Sequence, residues 1–183
     1  EKSEYLFTEQ IEALKKIIPE HIFGYDDVFL EESLGKILRE HNLTVSTAES
    51  CTGGNIARLL TSIAGSSDYF KGSIVAYSNE VKSSVLEVPV DDIENHGAVS
   101  SEVVEAMALG AMKKFKTDYS IAVSGIAGPG GGTEDKPVGT VWIAIAGTEK
   151  VFSKRFVFGG HRALVIEQSS IMALGLLRKY LQG

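Results

Sequence analysis

The stretch that decides the fold is residues 44–63, TVSTAESCTGGNIARLLTSI. Its opening residues, 44–48, predict a short strand, and the apolar residues of 52–63 recur at helical spacing and predict a helix. Residues 49–54 lie between them and form a strand-to-helix turn that contains two adjacent glycines. A strand that leads directly into a helix in this way is typical of a layered α/β domain.

The rest of the chain predicts a mixed sheet between helices. The further elements are a helix from an Asp26–Asp27 cap to His41, a strand over 72–77, a helix through 81–86, a helix after a Ser100–Ser101–Glu102 cap, a strand over 119–123, a hairpin over 138–146 and 150–158, and a final helix over 162–181. The hairpin makes the sheet mixed, because so short a connection joins only antiparallel strands. We therefore expect a three-layer α/β/α fold with a mixed sheet, a closing β-hairpin and a C-terminal helix.

The composition is that of a folded domain and argues against several classes of protein. The 183 residues carry 18 Lys and Arg against 24 Asp and Glu, a net charge of −6, and 44% of them are hydrophobic. An acidic chain argues against nucleic acid as a partner, and no apolar run approaches the ~20 residues that span a bilayer. A single cysteine, Cys51, excludes an internal disulfide framework and favours a reducing compartment. We expect a cytoplasmic protein that binds neither nucleic acid nor membrane.

The start of the chain differs from the remainder. It opens with Glu1 instead of methionine, and a short amphipathic segment follows. We expect residues 1–27 to be a connector from a missing N-terminal domain and residues 28–183 to form the domain that carries the function.

Ser50 lies on the strand-to-helix turn and has two interpretations. In the functional one, its hydroxyl lies beside unpaired backbone N–H groups at the positive end of the helix dipole, which suit an oxyanion, while Gly53 and Gly54 allow a substrate to approach the backbone. In the structural one, Ser50 or Thr52 is only an N-cap. The neighbouring Cys51 is either a thiol nucleophile or, as is more common for a lone cysteine, a small buried hydrophobe.

A serine nucleophile needs a base, and the spacing of the four histidines nominates none of them. Lys82 follows the second strand in the polar segment 77–82, and burial or nearby positive charge can hold a lysine neutral. This segment and Ser50 both leave strand ends at what we expect to be one edge of the sheet, where the sites of α/β folds gather. The alternative is an exposed lysine that pairs with Glu80 or another acid.

Glycine is abundant in the second half of the chain, where 10 of the 19 lie between Gly110 and Gly160. Within 124–132, positive φ angles and inward N–H groups can bind an anion, and the position after a buried strand favours a ligand-covering loop over a mobile surface loop. Arg162, near the start of the final helix, is a candidate for a bidentate phosphate contact, with a surface ion pair as the alternative. No spacing of His, Asp, Glu and Cys indicates a metal site.

Six segments in this order resemble one family. They are TAESCTGG at 47–54, GSS at 65–67, YSNE at 77–80, HGAVS at 96–100, SGIAGP at 124–129 and KPVGTV at 136–141. Together they are similar to the C-terminal domain family of the competence/damage-inducible protein CinA, whose members are nicotinamide mononucleotide deamidases. The resemblance covers residues 28–183.

The resemblance implies hydrolysis of the carboxamide of nicotinamide mononucleotide to nicotinic acid mononucleotide and ammonia, in pyridine-nucleotide salvage, with no metal or organic cofactor. It implies Ser50 as the nucleophile, Lys82 as its base and Tyr77 as a further catalytic residue. It also implies a homodimer. The substrate-binding residues that it implies are Cys51, Thr52, Gly53, Asn79, Ser124, Gly125, Ile126, Ala127, Gly128 and Arg162.

The sequence departs from the family pattern around Arg162. The family commonly has an acidic residue directly before this arginine and a basic residue four positions after it, where this chain has His161 and Ile166. An alternative function is therefore a non-catalytic nucleotide-binding or regulatory module of a larger competence/damage-inducible protein. A DNA-associated competence factor is a third class, which the net charge of −6 opposes.

Overall fold

The computed structural model describes residues 2–18, 22–24 and 27–182. Its elements are α1 (Lys2–Ile17), α2 (Leu30–Glu40), β1 (Val45–Glu49), α3 (Asn55–Thr61), a 3₁₀ turn (Ser66–Asp68), β2 (Phe70–Val75), α4 (Asn79–Ser84), α5 (Val90–His96), α6 (Ser101–Phe115), β3 (Tyr119–Gly125), β4 (Thr140–Gly147), β5 (Val151–Val157) and α7 (Arg162–Gln182). No helix among the described residues is long and apolar enough to cross a bilayer.

The five strands form one mixed sheet in the order β2-β1-β3-β4-β5. β1 runs parallel to both β2 and β3, whereas β3 with β4 and β4 with β5 are antiparallel pairs. The closing hairpin and the mixed sheet that the sequence predicts are therefore confirmed. The carboxyl ends of β1, β2 and β3 lie at the same edge of the sheet, because these three strands share one direction.

Helices cover both faces of the sheet, so that the fold has the three layers that the sequence predicts. On one face α2, α3 and α7 pack over an apolar cluster that includes Ile121 and Val123 of β3. On the other face α6 packs over a second cluster that includes Ala48 of β1 and Ala122 of β3. Because side chains alternate along a strand, each central strand contributes to both clusters.

Several predicted boundaries are wrong for local reasons. α2 begins at Leu30, and its N-cap is Phe29, which makes no side-chain cap; Asp27 lies in a turn, and Asp26 falls outside the described residues. α3 begins only at Asn55, because Gly53 and Gly54 hold the left-handed conformation with φ of 62° and 97°. The turn therefore extends to Gly54, and residues 52–54 of the predicted helix belong to the turn.

Two further differences concern the segments around β2 and α5. β2 spans Phe70–Val75, two residues ahead of the prediction over 72–77. Helix α5 is not among the predicted elements, because Pro89 lies directly before it and proline more often ends a helix. Pro89 is instead the N-cap of this helix, with φ of −56°, a conformation that leads into a helix without strain. The predicted Ser100 cap of α6 is confirmed, since its hydroxyl accepts a hydrogen bond from the amide of Val103 at 3.4 Å.

Gly110 lets α6 lie directly against the segment that follows α4. A Cβ atom at this position would overlap the backbone carbonyl of Leu86, a group that cannot rotate away. Gly110 therefore sets the distance between α6 and the chain that carries Lys82 in α4.

We expect Gly110→Ala to lower the free energy of unfolding by about 1–3 kcal/mol, because the added methyl group overpacks this contact. The matched control is Gly175→Ala in α7, where the nearest atom to a Cβ is Leu30 Cδ2 at 3.8 Å. This change is expected to be neutral or to stabilise by up to about 1 kcal/mol, since alanine favours a helix over glycine. Urea unfolding measures both, and equal stability of the two variants would contradict this account of the packing.

Candidate active site

A pocket of about 250 Å³ opens at the carboxyl ends of the three parallel strands. It brings together the three segments that the sequence analysis singles out, namely the turn after β1, the segment after β2 and the loop after β3. Its lining residues are Ser50, Cys51, Tyr77, Asn79, Lys82, Ala98, Val99, Ser124, Gly125, Ala127 and Arg162.

Ser50 is the first residue after β1 and is fixed by the sheet. Its amide donates to the carbonyl of Val123 at 2.9 Å, and its own carbonyl accepts from the amide of Gly53 at 3.1 Å. Ala48 faces the α6 side of the sheet, and Ser50, two residues later, lies on the same side because side chains alternate along a strand. On this side, Lys82 of α4 and the segment before α6 enclose the pocket.

Lys82 extends from α4 to Ser50 and is almost completely buried, with 1% of its surface exposed. Its Nζ lies 3.2 Å from Ser50 Oγ, 2.9 Å from the carbonyl oxygen of Ala76 and 3.5 Å from that of Tyr77. The alternative of an exposed lysine paired with Glu80 is therefore wrong. All three neighbouring oxygens are uncharged, so these contacts provide no carboxylate that would hold the amine in its protonated form.

Burial lowers the pKa of the Lys82 amine below its ordinary value, while the Cys51 thiol acts weakly in the opposite direction. A neutral amine has two hydrogens and one lone pair. In the structure Nζ donates to all three oxygens; in the neutral form the two hydrogens serve the carbonyls of Ala76 and Tyr77, and the lone pair is left to accept the proton of Ser50. The geometry thus suits a lysine that removes the proton of a serine nucleophile.

Cys51 lines the pocket but is poorly suited to act as the nucleophile. It is buried, and burial raises the pKa of its thiol to about 12, with smaller opposing effects from its own backbone amide, Arg162 and Lys82. A thiol with this pKa stays protonated near neutral pH and is a poor nucleophile. Of the two interpretations of Cys51, the structure favours the small buried side chain.

Glu49 holds the turn that presents Ser50, a role that the sequence analysis missed. Its carboxylate is fully buried and accepts hydrogen bonds from the amides of Gly54 and Ile56, both at 3.0 Å, and of Ala57 at 2.8 Å. The last residue of β1 thereby caps α3 from within the preceding strand. From the sequence alone, an acidic residue four positions before a Gly-Gly pair could equally well be exposed to solvent.

Arg162 and Tyr77 lie at the mouth of the pocket. The Arg162 guanidinium donates to the Tyr77 hydroxyl at 2.9 Å and to the carbonyl of Gly128 at 3.0 Å, and it thus joins the segment after β2 to the glycine-rich loop. Tyr77 is 60% exposed, so its ring is open to solvent at the rim. Both acceptors of Arg162 are uncharged, so these contacts do not neutralise its positive charge.

The glycine-rich loop contributes its first residues to the pocket, and hydrogen bonds hold the chain at its start and just after its end. Two backbone hydrogen bonds join its two ends. The amide of Ile126 donates to the carbonyl of Thr140 at 2.8 Å, and the amide of Gly139 donates to the carbonyl of Ile126 at 2.7 Å. Further along, Arg155 donates to the carbonyl of Asp135 at 2.6 Å, and Lys136 donates to that of His96 at 2.7 Å. These contacts favour a fixed wall over a mobile surface loop.

Some predicted site residues lie outside the lining. Thr52, Gly53, Ile126 and Gly128 are not among the residues that line the pocket, although Gly128 contacts Arg162 at the mouth. Ala98 and Val99 do line it and were not predicted as site residues; the segment HGAVS at 96–100 was the available signal. No group of three His, Cys, Asp or Glu side chains within the described part of the chain has the geometry to hold a metal ion.

The fold and the pocket define a class of protein: an α/β domain in which a serine on a strand-to-helix turn meets a buried lysine at the carboxyl edge of a mixed sheet. Residues 27–181 match the family described as the CinA C-terminal domain. The chain belongs to this family.

Relatives and solved structures agree with this assignment. The chain is 48% identical over 171 residues to a CinA-like protein of Flavobacterium psychrophilum and 49% identical over 168 residues to one of Crocosphaera subtropica, which covers 93% and 91% of this chain. It spans only 41% of the length of each of these relatives.

Two crystal structures have the same fold. A CinA superfamily protein from Klebsiella pneumoniae has a TM-score of 0.81 and 34% identity, with 84% of this chain and 96% of that one covered. The competence/damage inducible protein CihA from Agrobacterium tumefaciens has a TM-score of 0.80 and 36% identity, with 87% and 100% covered.

We expect Glu49→Gln to lower the free energy of unfolding by about 1–3 kcal/mol. The substitution replaces one carboxylate oxygen by an NH₂ group, so at least one buried amide at the start of α3 loses its acceptor. Glu134→Gln, on an exposed loop, is the control and should change stability by less than about 0.5 kcal/mol. Thermal and urea unfolding compare the two, and a Glu49→Gln protein as stable as the control would refute the capping role.

Proposed function

We propose that this chain is an amidohydrolase that converts nicotinamide mononucleotide to nicotinic acid mononucleotide and ammonia, in pyridine-nucleotide salvage. The observation that carries the proposal is the buried Lys82 amine at 3.2 Å from Ser50 Oγ, surrounded by uncharged oxygens. The reaction class follows from this pair, because a serine with a neutral lysine is suited to acyl transfer. The substrate follows from the resemblance of the six sequence segments to the deamidase family.

The first half of the reaction forms an ester on Ser50. As Oγ attacks the carboxamide carbon, its proton passes to Nζ of Lys82, and the carbonyl oxygen becomes an oxyanion. The amide of Cys51 is the candidate to stabilise this oxyanion, since Thr52 does not line the pocket and the amide of Gly53 already donates to the Ser50 carbonyl. Lys82 then protonates the amide nitrogen, the C–N bond breaks and ammonia leaves.

The second half restores the enzyme. A water molecule gives a proton to the neutral Lys82 amine as its oxygen attacks the ester carbon. The C–O bond to Ser50 then breaks, Lys82 returns the proton to Oγ, and nicotinic acid mononucleotide is released. The same base thus serves both steps.

The size of the pocket suits the reactive end of the substrate. At about 250 Å³ it is smaller than the sites that enclose drug-sized ligands, and it has room for a pyridine ring with its carboxamide. The phosphate would then lie at the mouth, where the Arg162 guanidinium keeps an uncompensated charge. Ile166, which stands where the family has a basic residue, packs against the apolar core, so that Arg162 acts there without this second cation.

The test is release of ammonia from nicotinamide mononucleotide. We expect Ser50→Ala and Lys82→Ala each to lower the turnover at least about a thousandfold, because they remove members of a unit that acts together. Lys36→Ala, an exposed lysine that pairs with Glu40, is the matched control and should retain full activity. The wild-type rate should fall as the pH drops through the pKa of Lys82, since protonation removes the base.

Two results would contradict the proposal. Near-normal turnover by Ser50→Ala, with loss of activity in Cys51→Ala, would make the thiol the nucleophile. Saturable binding of the nucleotide by the wild-type chain without ammonia release would instead support a non-catalytic nucleotide-binding or regulatory module.

A further inference from the structure

Ser124 and Ser50 follow paired residues of neighbouring strands. β1 and β3 are parallel with Glu49 opposite Val123, and Ser50 and Ser124 are the next residues along the two chains. Ala48 and Ala122, two positions earlier in each strand, belong to the same apolar cluster on the α6 side. Both serine side chains therefore lie on this side, and both line the pocket.

The proton of the Ser124 hydroxyl is already used in a hydrogen bond within the protein. Oγ donates to the backbone carbonyl of Ala98 at 2.6 Å, a short hydrogen bond, and the residue is only 1% exposed. A serine hydroxyl has one proton and two lone pairs. Toward the pocket, Ser124 can therefore only accept a hydrogen bond.

We propose that Ser124 is a specificity-determining residue that recognises the leaving nitrogen of the carboxamide. This inference rests on the proposed function and extends it. The NH₂ group of an amide substrate donates to Ser124 Oγ next to the carbon that Ser50 attacks. The carboxylate of the product has no proton to donate, so its oxygen meets the lone pairs of Ser124 instead.

The surroundings of the pocket strengthen this discrimination. In the proposed reaction Lys82 is a neutral base and offers no charge to hold a carboxylate, and Arg162, the cation at the rim, lies at the mouth with Tyr77 and Gly128. The reacting end of the pocket therefore favours an amide over an acid of the same shape. This preference holds the substrate and promotes release of the product.

The experiment compares the amide and the acid as ligands of the same protein. KM for nicotinamide mononucleotide and the inhibition constant of nicotinic acid mononucleotide are measured for the wild type, Ser124→Ala and Ser124→Thr. We expect Ser124→Ala to lower the ratio of the inhibition constant to KM about tenfold, the value of one good hydrogen bond. Ser124→Thr keeps the hydroxyl and should retain the ratio within about threefold.

A purely structural role of Ser124, as a link between β3 and the segment 97–99, predicts another result. Both constants would then change by the same factor, or only the melting temperature would fall, and an unchanged ratio would overturn the inference. If Ser124→Ala fails to fold, Ser124→Cys replaces it, because sulfur is a weak acceptor and should lower the ratio in the same direction.

The design also separates this inference from the proposed function. If the chain releases no ammonia, the amide is not consumed, and calorimetric titration gives the dissociation constants of both nucleotides. A preference for the amide that depends on Ser124 would then support the inference while the proposed reaction fails. If the chain releases ammonia but the ratio of the inhibition constant to KM does not depend on Ser124, the proposed reaction is supported and the inference is overturned. If the chain binds neither nucleotide, both are refuted.

Discussion

The contact between Lys82 Nζ and Ser50 Oγ depends on burial. In water a lysine amine holds its proton and cannot act as a base, whereas in this pocket burial lowers its pKa and its neighbours are uncharged oxygens. The surrounding structure maintains this environment from two sides. Glu49 fixes the turn before α3 that presents the serine, and Gly110 lets α6 close on the chain that carries the lysine.

The charge distribution fits a small anionic ligand even though the chain carries a net charge of −6. Attraction of a nucleic acid needs many cations over a wide surface, whereas a single phosphate needs only local donors. The mouth of the pocket offers one guanidinium, that of Arg162, whose contacts are to uncharged oxygens. In the proposed reaction, the deeper part of the pocket stays free of formal charge, as a neutral base and a neutral carboxamide require.

The strand-to-helix turn, the mixed sheet and the meeting of three segments at one edge could be predicted from the sequence, because periodicity and parallel connections determine them. The contacts of Glu49 and Ser124 could not, since an acid or a hydroxyl in a motif does not reveal its partner. The start of α3 was misplaced because two left-handed glycines extend the turn, and α5 was missed because Pro89 can start a helix as well as end one. Local propensity leaves such choices to the tertiary structure.

The most direct test of the central claim is an NMR titration of Lys82 in protein with ¹³C-labelled lysine, with Lys82→Met to assign its signal. We predict that the Lys82 amine titrates below the ~10.4 of an ordinary lysine, because burial disfavours its charged form. A titration at or above that value would contradict the account, since Lys82 would remain an ammonium group at neutral pH and Ser50 would have no base.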